Sequence, residues 1–167
     1  MYINMIFLAV FIGYSVGIAP VVSFHYGASN HSELRNLRRK SLAVISISSV
    51  LMALTSIFLA SPLSHIFVGY DEVLLNMTVR GLIIYSFSFL FSGIAIFGSC
   101  FFTALNDGLT SAIVSFLRTL VFQIAALMLL PLLFELDGIW ISIVVAELMA
   151  AVVTVIFLVG KRKRYKY

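Results

Sequence analysis

An acid in the middle of an apolar run is the residue of this chain that most needs a chemical reason. Glu147 lies ten residues after Asp137 and fourteen before Lys161, with no other charge between them. A charged side chain at the centre of a membrane-crossing helix costs roughly 2.5–3.5 kcal/mol, so it normally faces a protein interior or a wet cavity, where it handles protons or cations. The plainer alternative is a protonated glutamate hydrogen-bonded between helices. Arg118 is the other charge inside an apolar run. Its long stem can snorkel to the interface or pair with a lipid phosphate, and otherwise its guanidinium lines a path. Gln123, five residues on, offers hydrogen bonds to a substrate or simply to another helix. Glu147, Arg118 and Gln123 are the candidate substrate or ion path. Pro20 and Pro131 each remove a backbone donor and kink a helix, which suits a moving transporter as well as a rigid bundle. Gly13 and Gly17 form a GxxxG spacing, a weak signal for close helix approach.

Other chemistries find little support. His25, His31 and His65 are too widely spaced for a metal set, and Cys100 has no partner cysteine. No nucleophile elbow, phosphate loop or HExxH is present. These absences disfavour an intramembrane enzyme, and no cofactor or metal is implied.

The elements that must carry these residues follow from composition. Hydrophobic residues fill 62% of 167 positions and charged ones 11%, against about 25% charged in a soluble domain. Mean hydropathy is +1.11, so the bilayer is the solvent. Five apolar stretches have the length of membrane helices: about 5–26, 41–60, 80–105, 111–134 and 138–160. A polar basic loop, Ser29 to Lys40, follows the first. Ser61-Pro62 stops the second, and a mixed segment through Asp71 and Glu72 leads to the third. Asn106-Asp107-Gly108 is a turn, with Thr110 or Ser111 available to cap the next helix, and Glu135 to Gly138 is a second turn. The fold class expected is an all-α integral membrane bundle of about five helices, one membrane domain over 1–167 with a basic tail at 161–167. The first span lacks the basic flank of a signal peptide.

Nine of the eleven basic residues lie between Arg35 and Lys40 or in the tail, two blocks separated by four spans and therefore on one side. Asp71, Glu72, Glu135 and Asp137 lie on the other side, near Arg80 alone. The positive-inside rule makes the basic side cytoplasmic, in a multi-pass protein of the plasma (inner) membrane. Confinement of the basic residues to short blocks beside apolar spans argues against nucleic acid as a partner. Tyr70, Trp140, Tyr165 and Tyr167 sit where an interfacial aromatic belt would.

Gly17-Ile-Ala-Pro20-Val-Val-Ser23-Phe-His-Tyr26-Gly27-Ala28, followed by a basic amphipathic segment, resembles a hallmark of multidrug and toxic compound extrusion (MATE) transporters. Ser115-Phe-Leu-Arg118, Leu130-Pro131-Leu-Leu-Phe134, Leu136-Asp137-Gly138-Ile139-Trp140 and Ala146-Glu147 are similar to the last two helices of that family. The resemblance implies twelve helices in two lobes, exchanging Na⁺ or H⁺ for organic cations and other drugs by alternating access. This chain would correspond to helices eight to twelve, as the C-terminal part of such an antiporter. Pro20, Arg118 and Glu147 match recurring family positions. One departure is Phe91-Ser92-Gly93-Ile94, where some Na⁺-coupled members carry an acid, so the coupling ion stays open between H⁺ and Na⁺.

Two other functions compete with drug export. One is a flippase for lipid-linked saccharides of the same superfamily, which would carry more cavity-facing cations than Arg118 alone. The other is a small non-transporting membrane subunit. A lone five-helix half would expose polar groups such as Glu147 to lipid. The expected partners are therefore drug-like small molecules, membrane lipid, and either the missing N-terminal lobe or a second copy.

Overall fold

A computed structural model describes residues 2–167, and all its elements are helical. Helix α1 spans Tyr2–Gly27 and α2 spans His31–Val68. Next come α3, Glu72–Ser86, and α4, Phe89–Ala104. The fourth stretch is α5 at Gly108–Phe116, a π-helical segment at Leu117–Phe122, and α6 at Gln123–Leu129. It leads into α7, Pro131–Gly160, and a short α8, Arg162–Tyr165. Four helical stretches are long and apolar enough to cross a membrane, and the pair α3–α4, bent by 44°, brings the number to five if the two cross as one span.

Four or five spans agree with the expected bundle, and several boundaries move. The basic stretch before Lys40 is not a loop, because α2 begins at His31. Ser29 turns the chain at a φ of 55°, and the Asn30 side chain accepts the Glu33 N–H at 3.3 Å, which caps the new helix. Nor does Pro62 stop α2, which runs through it to Val68. The segment at Asp71 and Glu72 is likewise a helix start. Asp71 accepts from the backbone N–H of Val73 at 2.9 Å and Leu74 at 3.2 Å, and its charge suits the positive end of α3. The cap of α5 is Asp107, not Thr110 or Ser111. Its carboxylate accepts from the Thr110 N–H at 3.2 Å and the Thr110 hydroxyl at 2.7 Å.

The turn expected at Glu135 to Gly138 does reverse the chain. Glu135 breaks the helical path within α7, at φ 51° and ψ −126°. A Cβ on Gly138 would meet the Leu130 carbonyl oxygen at 2.5 Å, so only glycine lets the returning helix pass this close. Ser142 donates to the Ala126 carbonyl at 2.9 Å, and Lys161 donates to Asp107 at 2.7 Å. These ties run in opposite senses along the chain, so α5–α6 and α7 form an antiparallel hairpin. Leu130 still donates its N–H to the Ala126 carbonyl at 2.9 Å, and the helical bonding of the outgoing limb skips only Pro131, which has no N–H to give.

Helix α4 is the hub, packed against α1, α2, α5 and α7. Its interior positions include Phe89, Phe97, Phe101 and Phe102, each at most 2% exposed. Gly98 sets its distance from α7, since a Cβ there would collide with the Thr154 methyl. Along α2 the buried positions Ser41, Ile45, Ser49, Ala53, Ser56, Ala60 and Ser64 recur every three or four residues. Small residues on such a stripe let backbones approach, which matters where lipid supplies no hydrophobic drive between helices. Hydroxyls bind across the seams: Tyr14 to Ser41 at 3.1 Å, Ser86 to Ser56 at 2.7 Å, and Ser23 to the Ala104 carbonyl at 2.9 Å. Outside, large apolar side chains are bare, with Leu132 81% and Phe58 80% exposed. Hydroxyls paired within the bundle and apolar side chains on its outside are the arrangement a bilayer selects.

Two ends can be distinguished. One joins Arg80 of α3 to Asp137 beside the turn of α7. At the other, Lys161 bridges Asp107 and Thr110. Burial pushes the Asp107 carboxyl up, but the hydrogen bonds from Lys161 and Thr110 outweigh it and hold the group well below the usual carboxylate range. At this basic end Tyr165 and Tyr167 are not belt residues. They are 7% and 0% exposed, folded against the bundle. Tyr167 donates to the Leu158 carbonyl at 3.0 Å, and the Arg38 guanidinium stands over its ring, 5.1 Å from the centroid. Burial pushes the Tyr167 phenol up to about 12.

Candidate functional site

The hairpin brings Arg118 and Glu147 face to face. Nε of Arg118 donates to both carboxylate oxygens, at 3.1 and 2.9 Å, and a terminal nitrogen donates at 2.8 Å. Such a fork of charge-assisted bonds is among the stronger side-chain contacts. The side chains are 21% and 15% exposed. Arg118 therefore neither snorkels to an interface nor leaves Glu147 without a partner. Glu147 is also covered within this chain, contrary to the expectation that an isolated half would show it to lipid.

Local backbone geometry presents the arginine. Arg118 is the second residue of the π-helical segment, a rare geometry that occurs mostly as single wide turns, frequently at functional sites. Widening a turn rotates the residues after it relative to a regular helix. Behind Glu147, Ala146 and Ala150 are buried, so α7 lies close enough for the carboxylate to meet the guanidinium without either stem leaving the bundle.

Beside the pair lies a cleft of about 220 Å³, lined on its polar side by Ser99, Thr103, Ser115, Arg118 and Thr119, with Cys100 among its other walls. The hydroxyls form a connected set. Ser99 shares hydrogen bonds with Ser111 at 2.9 Å and Ser115 at 2.7 Å, and Thr103 donates to Ser111 at 2.7 Å. The sequence reading missed these residues. A signal existed, because Ser99 and Thr103 are four apart, as are Ser111 and Ser115, on two stretches joined by the Asn106-Asp107-Gly108 turn.

The remaining candidates do not converge on the pair. Gln123 opens α6 with its side chain exposed. Pro20 lies exposed on α1, which continues unbroken through it, and Pro131 lies next to the Glu135 turn. Gly13 and Gly17 pack against nothing, since a Cβ on either would have no atom within 4 Å. Among the described residues no group of histidines, cysteines and acids could hold a metal ion.

Residues 1–129 match the MatE family model. The chain belongs to the MatE family. Arg118 lies inside the matched stretch and Glu147 beyond it. A solved structure, described as the inward-facing conformation of a multidrug resistance MATE family transporter of the MOP superfamily, superposes with a TM-score of 0.86 at 22% identity. The superposition covers 99% of this chain and 38% of that one, so the MatE fold extends through α7 and Glu147. This chain thus spans well under half the length of the transporter it matches. No curated protein matches it.

Proposed function

We propose that this MatE chain forms part of a cation-coupled efflux antiporter that exports organic cations or similar drugs in exchange for H⁺ or Na⁺. The observation that carries the reading is the Arg118–Glu147 pair, held inside a membrane bundle beside a hydroxyl-lined cleft. A carboxylate whose counter-charge is an arginine can release that partner when a small cation or an organic cation takes its place. The cleft's hydroxyls offer oxygen ligands and hydrogen bonds for the exchange. Its single cation argues against an anionic saccharide-lipid cargo. The basic end faces the cytoplasm on the positive-inside rule. The open α1 face at Gly13 and Gly17 takes a helix from another part of the transporter, which agrees with the share of the matched structure that this chain spans.

The test is accumulation of a fluorescent lipophilic cation in cells producing the full-length protein, with Glu147→Gln beside it. Wild type lowers accumulation and the variant, at equal membrane abundance, does not. Imposed H⁺ and Na⁺ gradients applied separately to vesicles identify the coupling ion. Equal accumulation with and without the protein, or full export by Glu147→Gln, would overturn the assignment.

A further inference from the structure

A second concavity opens at the basic end, away from the Arg118 cleft. It has a volume of about 550 Å³ and is lined by His31, Arg35, Arg162, Lys163 and Lys166. Volumes in this range suit small-molecule groups rather than a single water. Every lining residue is cationic or, for histidine, able to become so. The nearby acids are engaged elsewhere: Asp107 with Lys161 at 2.7 Å, and Glu33 accepting from the Asn36 amide at 3.5 Å.

Like charges converging on a hollow repel one another, so something must hold them there. Two anchors do. The start of α2 is fixed by the Asn30 cap, and α8 is fixed by the buried Tyr165 and Tyr167 rings, which stand 5.9 Å from Tyr26 and 5.1 Å from Phe101 respectively. His31 completes the lining. It lies at the N-terminus of the 38-residue α2, where the helix dipole favours an anion. Ten residues of α2 precede its apolar run, which puts the hollow near headgroup level, outside the hydrocarbon.

We propose that this hollow is a phosphate-binding site, filled by an anionic phospholipid headgroup or by a soluble phosphate. The two arginines and two lysines supply charge, and the dipole of α2 adds to it. Occupancy ties the first turn of α2 to the tail and cancels the repulsion between them. The proposal does not depend on the transported substrate.

Native mass spectrometry of the full-length protein in detergent tests it. The probes are phosphatidylglycerol, phosphatidylcholine with the same acyl chains, and inorganic phosphate. One phosphatidylglycerol is expected to bind in preference to phosphatidylcholine. Arg35→Gln with Lys163→Gln weakens that binding about thirtyfold, since each near-surface cation contributes about fivefold. Arg39→Gln with Lys40→Gln removes the same charge outside the hollow and leaves binding unchanged. Arg35→Lys with Lys163→Arg keeps the charge and binds as wild type, which separates loss of the site from loss of the fold. Lipid that resists millimolar inorganic phosphate assigns the site to the headgroup. Lipid displaced by phosphate, or phosphate bound without lipid preference, assigns it to the soluble anion. Equal weakening by the two neutralising pairs, or binding of neither probe, overturns the proposal.

Discussion

Glu147 and Arg118 are each costly alone and tolerable together. Transferring either charge from water into the bundle carries a desolvation penalty, and the bidentate contact offsets it. The cost of losing one partner is therefore mostly the cost of stranding the other. Arg118→Gln and Glu147→Gln are each expected to destabilise the protein by about 3 kcal/mol. The double variant loses less than the sum of the two and less than either alone. Denaturation in mixed micelles measures this cycle, and additive losses would show that the two groups are not coupled. The pair was half legible in the sequence. Both charges stood out against apolar runs, but they are 29 residues apart. Nothing local says that one arginine in the fourth stretch lies level with one acid in the fifth.

At the scale of elements, close approach decides what the helices can do. The α4–α7 contact rests on Gly98 lying against Thr154, where an added Cβ meets the threonine methyl while the Thr154 Cβ stays 3.5 Å away. Gly98→Ala is expected to cost about 1–3 kcal/mol by overpacking. Thr154→Ser deletes the obstructing methyl and restores most of that loss in the double variant. Thermal melting of the four proteins checks this, and failure of the serine to rescue would place the strain elsewhere. Element boundaries show the same competition between local and tertiary forces. Asn30, Asp71 and Asp107 are good caps, and each starts a helix earlier than hydropathy alone places it, because a cap satisfies backbone donors whether or not the next residues are apolar. Pro62 fails to end α2, since its neighbours on both sides stay helical. The π-helical segment has no counterpart in composition.

For the whole molecule, orientation is the largest consequence of charge placement. The basic segment of α2 and the tail meet at one end, through Arg38 over the Tyr167 ring, and Arg80 meets Asp137 at the other. On the proposed orientation, with the basic end in the cytoplasm, a single cysteine at Glu72→Cys in a Cys100→Ser background is expected to react with a membrane-impermeant maleimide in intact cells. One at Arg164→Cys reacts only after permeabilisation. The reverse pattern would invert the topology and with it the assigned direction of export. The aromatic tail adds a feature beyond charge: Tyr165 and Tyr167 fold inward because their rings find Tyr26 and Phe101 and their backbone is tethered through Lys161.

The sequence by itself determined the solvent of this protein, its all-helical membrane-spanning character, the turn at Glu135 and the separation of basic from acidic ends. Those properties follow from hydropathy and charge summed over many residues, which no single contact can reverse. The resemblance carried by Pro20, Arg118 and Glu147 pointed to the family from quoted motifs alone. Only the tertiary structure decided which polar groups meet. It paired Arg118 with Glu147, gathered Ser99, Thr103 and Ser115 at one cleft, left Gln123 outside it, and placed His31 with four cations around one hollow. The physical reason is register. Which residues of two helices lie level depends on the exact turn, on a π-helical widening and on glycines that fix spacing, and these are properties of the assembled bundle rather than of any one segment.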